Sequence, residues 1–589
     1  MLKENEFLVL NCCRKNAVSN QREIAKDVEL SLGNVNSTIK LCRENGYLTD
    51  EYDITEKGIA QLEPYKVDNA IIMAAGMSSR FAPLSYEKPK GLLVVKGEVL
   101  IERQIEQLHE AGITDITVVV GYMKEKFFYL ERKYGVSIVV NEDYYRFNNT
   151  STLIRVVDKL KNTYICSSDN YFTENVFDHY VYKPYYAAEY TSEDTDEYIL
   201  TTNSSGAITK VTIGGPGNNW FMIGHVYFNA DFSNKFVEIL KNAYENDAST
   251  KEMLWEQLYM KHIKQLKLYI KKYEDGIIQE FDSLDELRVF DEKYINNTNS
   301  AILQNICEYL HCQEKDIIDI KAIKKGLTNT SFSFECFGKK YVYRYPGIGT
   351  DDYINRHSEA YSMKVAKNLG LDNTFIYMDE NVGWKLSEYV EDARNLNYNN
   401  KNEVSKALAM LKKLHDSNIK SNYDVNVKDK TQELIDKISL TGRNVFNDFE
   451  DLYSIIKKLY DYTQKDNVGK CLCHCDFCDI NILVDKDNNL NIIDWEYSGN
   501  DDPANDLGSF ICCSSYSYEQ ACEILEMYYG RKLTDNEFRH CIAYVAISAY
   551  YWFIWAIYQE TKGNKIGESL HDWYRCCFEY GEKALNLYE

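Results

Sequence analysis

The sequence predicts a multidomain protein of mixed α/β and α+β class: a small helical module with a wing, a doubly wound sheet domain, and a two-lobed domain whose second lobe is helical. Three observations carry this. Two short helical stretches and a polar turn fill the first 60 residues, apolar strands alternate with helices from residue 70 onward, and a polar loop and hairpin around residues 474–496 precede long apolar helices. At 589 residues the chain is too long for one core. The best linkers lie around residues 64–68 and 295–300, giving units 1–64, 68–295 and 300–589.

In the first unit, Gln21-Arg-Glu-Ile-Ala-Lys-Asp27 and residues 34–46 are helical stretches separated by Leu30-Ser-Leu-Gly33, and residues 47–58 read as a wing and closing helix. The pattern resembles the winged helix-turn-helix of bacterial regulators. Its recognition helix would begin at Asn34-Val-Asn36-Ser37, polar enough to read bases. The charge balance argues the other way, because residues 1–64 hold 8 Lys/Arg against 11 Asp/Glu and a DNA reader carries a basic footprint. A docking or dimerisation role, with a homo-oligomer as one outcome, is expected ahead of DNA binding.

In the second unit an apolar strand enters Ala75-Gly76-Met77-Ser78-Ser79-Arg80, with Lys88-Pro-Lys90 after it. A loop of small residues at a strand's carboxyl end can wrap its N–H groups around a nucleotide, while Arg80 and Lys90 can neutralise a triphosphate and its leaving pyrophosphate. Residues 100–111 have helical periodicity, residues 116–120 form a buried strand ending at Gly121-Tyr122, and residues 137–140 form another. This alternation implies a doubly wound, Rossmann-like and mainly parallel sheet with ligands at the strand C-termini, where Gly121 and Tyr122 lie. A further apolar run, residues 163–168, stops at Asp169-Asn170.

The loop resembles the nucleotidyltransferase pattern L-x-A-G-x-G-x-R-x-x-P-x-T…P-K, with Ser78 at the second Gly and Ser85 at the Thr. The Ser-Asp169-Asn170 form resembles the bacterial CTP:phosphocholine cytidylyltransferases, as do Asn148-Asn149, Trp255-Glu256 and Glu280-Phe-Asp282. That resemblance implies CTP on residues 75–79 and Mg²⁺ on Asp169, with Glu256 as the second metal carboxylate. It offers Tyr198 and Trp255 as walls of a choline cage.

The third unit carries His474-Cys-Asp476-Phe-Cys-Asp-Ile-Asn481, a short hairpin, and Asn491-Ile-Ile-Asp494-Trp-Glu496. An Asp, an Asn five residues on, and an Asp ending the next apolar strand are what kinase-type phosphoryl transfer requires. The first Asp accepts the hydroxyl proton; Asn481 and Asp494 hold Mg²⁺ against the ATP phosphates. With Asp494-Trp-Glu496 and Asn505-Asp506 following, the set resembles the choline/ethanolamine kinases and aminoglycoside phosphotransferases. The resemblance assigns Gly326, Thr328, Asn329 and Ser331 to a phosphate-covering loop, Arg344 to the strand cation and Glu359 to its ion-pair partner. Tyr551-Trp552-Phe-Ile-Trp555 and Gln559 resemble the choline kinase W-x-x-W-x-x-x-Q segment, and with Glu496 they would receive the amine, since a quaternary ammonium donates no hydrogen bond and prefers aromatic faces and carboxylates.

The formal charge of −23 disfavours tight nonspecific binding to nucleic acid or anionic membrane and favours a cationic substrate. With charged and polar residues at its start, the sequence is not expected to carry a signal peptide. Seventeen cysteines in a cytoplasmic chain are expected to stay reduced, and the alternating Cys471, Cys473, Cys475 and Cys478 read as small hydrophobes on a strand rather than as a zinc cluster. Residues 541–558 carry no charge but read as a buried helix, so no membrane insertion is expected. Joined, the resemblances imply a fusion that phosphorylates choline from ATP and then transfers cytidylyl from CTP to phosphocholine, releasing pyrophosphate. Ethanolamine or an aminophosphonate is the alternative substrate, and a DNA-binding metabolite sensor the alternative class.

Overall fold

The computed structural model describes residues 2–15, 20–323, 329–347, 350, 354–442, 446–564 and 566–589. Gly326 and Thr328 lie outside the described residues. The chain forms two compact units, Met1–Asn305 and Ile306–Glu589.

The first unit begins with α1 (Glu4–Lys15), α2 (Gln21–Asp27), α3 (Leu32–Glu44) and α4 (Glu56–Leu62). Side chains at the N-caps start three of them: Asn20 before α2, Ser31 before α3 and Thr55 before α4 each accept an orphan backbone N–H. A bridge between Leu48 and Ile54 makes the wing. On α3, the helix that would read bases, Val35, Thr38, Ile39 and Cys42 face the core, while Asn34, Asn36 and Ser37 are exposed. The module is seated on the next domain through aromatic rings. Phe7 lies 5.1 Å from Tyr65 and 5.4 Å from Tyr182. Lys183 pairs with Glu4 at 2.6 Å, and Lys15 pairs with Asp178.

The sheet domain follows: β1 (Asn69–Ala74), α5 (Leu100–Glu110), β2 (Ile116–Val120), β3 (Ser137–Val140), β4 (Thr163–Ser167), β5 (Asn170–Phe172), β6 (Tyr185–Thr191), β7 (Thr195–Thr202), β8 (Ile208–Gly215), β9 (Asn219–Phe228), α6 (Ala230–Asn246), α7 (Trp255–Lys261), β10 (Tyr269–Lys272) and β11 (Ile278–Glu280). Nine strands make the main sheet. Its path is β8-β7-β9-β4-β1-β2-β3, with β6 joining β9 to β10. Strands β4, β1, β2 and β3 pair in parallel, as the apolar runs predict, whereas β9 pairs antiparallel with β4 and carries an antiparallel arm of β6, β7 and β8. The expected mainly parallel sheet is thus mixed: parallel from β4 through β3, antiparallel through the arm, and parallel again where β10 joins β6. The physical reason lies in the arm's sequence: residues 195–215 are rich in Thr, with Lys, Asp and Glu among them, and bury few large side chains, among them Ile199, Leu200, Ile208 and Val211, which suits strands wetted on one face.

The second unit opens with a five-stranded antiparallel sheet, β12 (Ile317–Ile323), β13 (Thr330–Cys336), β14 (Lys339–Tyr345), β15 (Phe375–Met378) and β16 (Lys385–Glu388), ordered β12-β13-β14-β16-β15. Helix α8 (Arg356–Asn368) lies between β14 and β15 in the chain. The helical lobe contains α9 (Lys401–Asp416), α10 (Val427–Leu440), α11 (Phe449–Lys465), α12 (Pro503–Cys512), α13 (Tyr518–Tyr529), α14 (Asp535–Thr561) and α15 (Ser569–Tyr588), with short strands β17 (Ile482–Val484) and β18 (Leu490–Ile492) between α11 and α12. Helix α14 is long and apolar enough to cross a membrane, but 89% of its apolar window is buried among the other helices of this lobe. Burial on every side explains why it shows no polar face.

Candidate active sites

The transferase site forms where β1 and β4 end side by side. After Ala74 the backbone turns through Ala75–Ser79, with Ser78 left-handed at φ 49°, the conformation that glycine adopts more readily. Gly76 has open space where a Cβ would stand, and Ala75 O accepts the Tyr122 N–H at 3.0 Å. At Gly121 a Cβ would lie 2.7 Å from that same carbonyl oxygen, so this position requires glycine. Met77 and Arg80 are exposed, and Ser79 is half-buried.

Beyond β4, Asp169 takes Lys90 Nζ at 2.8 Å and Ser167 Oγ at 2.7 Å. Burial opposes ionisation of Asp169, yet Lys90 outweighs it and holds the carboxyl below its usual range. Arg80 reaches Asp282 at 3.1 Å.

The acid that joins Asp169 is Glu280, not Glu256. Strand β11 pairs with β5 so that Glu280 stands opposite Asn170, whose side chain donates to it at 3.3 Å. Desolvation by the surrounding protein and the neighbouring Asp169 push the Glu280 carboxyl up to about 7, although part of the side chain is exposed. Glu256 accepts from Asn149 and from Tyr186, each at 3.3 Å, and Asn149 in turn accepts the Trp255 N–H at 2.6 Å. This clasp fixes the start of α7 and corrects the expectation that Glu256 is the second metal carboxylate. Asp169, Glu280 and Asp282 gather around one buried cation, Lys90, and leave an excess of negative charge, and an all-oxygen donor set of that kind suits a hard divalent cation.

Trp255 is also corrected. Its indole is 1% exposed, stacked on Tyr186 at 5.8 Å and edge-on to Phe228 and Phe236, so its faces belong to the core. Trp255→Ala is expected to cost about 3–5 kcal/mol of stability by opening a cavity, measurable by urea denaturation. Tyr198 is half-buried on β7 close to Glu256 and Glu197.

The kinase-type site is organised by Asp506, on α12. It accepts the backbone N–H groups of His474 and Cys475 at 2.9 and 2.6 Å and faces His415 Nε2 at 2.9 Å, which sets the loop that presents Asp476. Asn481 donates to Asp476 Oδ2 at 2.8 Å and to its carbonyl at 2.9 Å. Cys475 and Asp494 adopt φ of 64° and 65°, an uncommon conformation for non-glycine residues that clusters at functional sites. Burial, Cys513 and Asp494 push the Asp476 carboxyl well above the usual carboxylate range.

The expected strand pair forms: Arg344 on β14 meets Glu359 on α8 at 2.5 Å and continues to Asp494 at 3.2 Å and Glu496 at 3.6 Å. Ser331 faces Arg344 across the ladder, and Asn329 donates to Glu496 at 2.8 Å. Both nitrogens of His415 are taken, by Tyr528 and Asp506, so its grouping with Cys471 and Cys473 offers a metal only thiols.

Beside the loop opens a cavity of about 260 Å³. Tyr497, Tyr551 and Trp555 give it aromatic walls, Asp424, Glu433 and Glu496 line it as acids against the cations Lys430 and Lys437, and Cys475 links it to the Asp476 loop. Two of the expected amine residues do not line it, although Trp552 packs behind its aromatic walls at 5.5 Å from Tyr497 and 5.7 Å from Trp555. Trp552 turns toward α12, its indole N–H donating to Ser509 Oγ at 3.2 Å, and Gln559 is buried with Asn564 donating to it at 2.8 Å. Tyr551, four residues before Trp555 and so on its face of α14, takes the place expected of Trp552. Trp555→Ala is therefore expected to raise the amine KM about 5- to 30-fold and leave the ATP KM unchanged. Trp552→Ala is expected to lower the melting temperature instead. Steady-state kinetics and thermal denaturation of both variants check this.

These sites on these folds define a two-centre transferase, a nucleotidyltransferase joined to a kinase-fold phosphotransferase. Family models match in the same order: a winged helix-turn-helix DNA-binding domain over residues 2–49, a MobA-like NTP transferase domain over 70–176 and choline/ethanolamine kinase over 320–537. Choline-phosphate cytidylyltransferase of Streptococcus pneumoniae is 33% identical over 223 residues, covering 38% of this chain and 96% of that protein. The 2-aminoethylphosphonate cytidylyltransferase of Lancefieldella rimae is 36% identical over 231 residues, covering 38% and 93%. The crystal structure of choline kinase LicA from Streptococcus pneumoniae aligns with 48% of this chain and 98% of its own at 22% identity, TM-score 0.43. The chain belongs to the choline-phosphate cytidylyltransferase family, fused to a choline/ethanolamine kinase domain and headed by a winged helix-turn-helix.

Proposed function

We propose that the chain makes CDP-choline in two steps, phosphorylating choline from ATP in the second unit and transferring cytidylyl from CTP to phosphocholine in the first. The observation that carries this reading is the cavity of Tyr497, Tyr551 and Trp555 with Asp424, Glu433 and Glu496, which joins faces and charges for a quaternary ammonium to the loop of Asp476. With the ammonium seated there, Asp476 receives the hydroxyl proton as the oxygen attacks the terminal phosphate of ATP. In the first unit, residues 75–79 take the CTP phosphates, and Arg80 and Lys90 offset charge as a phosphocholine oxygen displaces pyrophosphate. Asn481 and Asp494 in one site, and Asp169, Glu280 and Asp282 in the other, are the oxygen donors that would hold Mg²⁺. Bound there, the ion supplies charge neutralisation at phosphate.

The similarity to a 2-aminoethylphosphonate enzyme supports a second reading, but a phosphonate already carries its phosphorus on carbon and has no need of a kinase. A covalently attached kinase domain favours an amino alcohol, and aromatic walls favour choline over ethanolamine. The test is kinase turnover on choline and ethanolamine beside CTP-dependent turnover of phosphocholine and 2-aminoethylphosphonate. A higher kcat/KM for choline and for phosphocholine supports the reading; preference for the phosphonate with an idle kinase contradicts it.

The winged helix serves as a docking module, a role supported by its aromatic seat on the sheet domain and its acidic balance. All 17 cysteines are free thiols, which fits work in the reducing cytoplasm.

A further inference from the structure

Lys385 opens β16 directly opposite Arg344 on β14, so both side chains leave one face of the sheet. Its side chain is 11% exposed, and Nζ stands 3.9 Å from Asp494 Oδ1, beyond hydrogen-bond range. Among the described residues this ammonium makes no hydrogen bond at all, although it carries three donors. Arg344 is more heavily engaged: its Nε has no hydrogen-bond partner, but both terminal nitrogens are taken. One terminal nitrogen serves Asp494 and Glu496, and the other serves Glu359 at 2.5 Å and the Gly383 carbonyl at 3.4 Å. A guanidinium so engaged reaches a phosphate only by loosening a buried ion pair, which is costly. An almost buried ammonium with idle donors is costly too, unless a ligand satisfies it.

We propose that Lys385, not Arg344, is the phosphate-binding cation of the kinase half: its ammonium donates to an oxygen of the ATP polyphosphate, while Arg344 remains the brace between Glu359 and the Asp494–Glu496 pair. The strand cation has in effect moved one strand over. This rests on the kinase reading above and adds to it which side chain meets the nucleotide.

The test uses the full chain with ATP, choline and Mg²⁺, and conversion of phosphocholine with CTP as the internal control. Lys385→Met is expected to raise the ATP KM about 10- to 100-fold, the value of one charge-assisted hydrogen bond, with the choline KM and the control unchanged. Lys385→Arg, which keeps the charge, is expected to recover most of the loss. A Lys385 that merely balances buried acids gives a lower melting temperature with an ATP KM within twofold of wild type, and that result overturns the proposal.

If Lys385→Met folds poorly, calorimetric binding of a non-hydrolysable ATP analogue and of adenosine to Lys385→Gln decides. Loss confined to the triphosphate upholds the proposal, and equal loss for both overturns it. A wild-type chain that phosphorylates no amine refutes the kinase reading, while the analogue titration still reports on Lys385.

Discussion

Asp476→Asn is expected to lower phosphorylation of choline by about 10²–10⁴-fold, the usual contribution of a positioned proton acceptor, while leaving conversion of supplied phosphocholine to CDP-choline intact. The substitution keeps the shape that Asn481 holds at 2.8 Å and removes only the basicity, so a folded protein with a silent kinase is the outcome. Initial rates of ADP release and of pyrophosphate release on the same preparation check it. The wild-type pH profile carries a related signature. Burial, Cys513 and Asp494 all raise the Asp476 pKa, so the acid limb of kinase kcat/KM falls above the ordinary carboxylate range, and activity rises with pH through it. Asp476→Asn should erase that limb from whatever activity remains.

Asp169→Asn is expected to produce the mirror image: CDP-choline formation drops about 10²–10³-fold, and phosphocholine accumulates from choline and ATP. Lys90 loses its charge partner at 2.8 Å, and with it the fixed position beside Glu280 from which it offsets phosphate charge. Glu280→Gln should impair the same step, whereas Glu256→Gln should leave turnover largely intact and act on stability through the Asn149–Trp255 clasp. Following phosphocholine and CDP-choline over time by mass spectrometry separates these cases.

What the sequence made legible was local. Asp476, Asn481 and Asp494 lie within one loop and hairpin, so their spacing alone delivers them to one place; Asp169 was identifiable because it follows a strand end, and Lys90 because it completes the Pro-Lys of the loop pattern. What it hid was set by tertiary pairing or by helix rotation. Glu280 reaches Asp169 only through the pairing of β11 with β5, more than a hundred residues apart in the chain, so Glu256 next to Trp255 looked the better candidate. Trp552 and Tyr551 differ by one step around α14, and a helix buried on every side offers no polar face to fix its rotation.

Lys385 did carry a signal: a lysine flanked by Trp384 and Leu386 needs a reason to be there. Its partnership with Arg344 becomes visible only in the ladder register.

One chain is expected to carry choline to CDP-choline through its own two sites. The most direct measurement incubates the purified full-length protein with choline, ATP, CTP and Mg²⁺ and follows products by mass. ADP and transient phosphocholine are expected first, then CDP-choline with equimolar pyrophosphate, and Asp476→Asn and Asp169→Asn should restore the complete conversion when mixed. Absence of phosphocholine and CDP-choline from the wild-type reaction, or a mixture of the two variants no better than either alone, would contradict it.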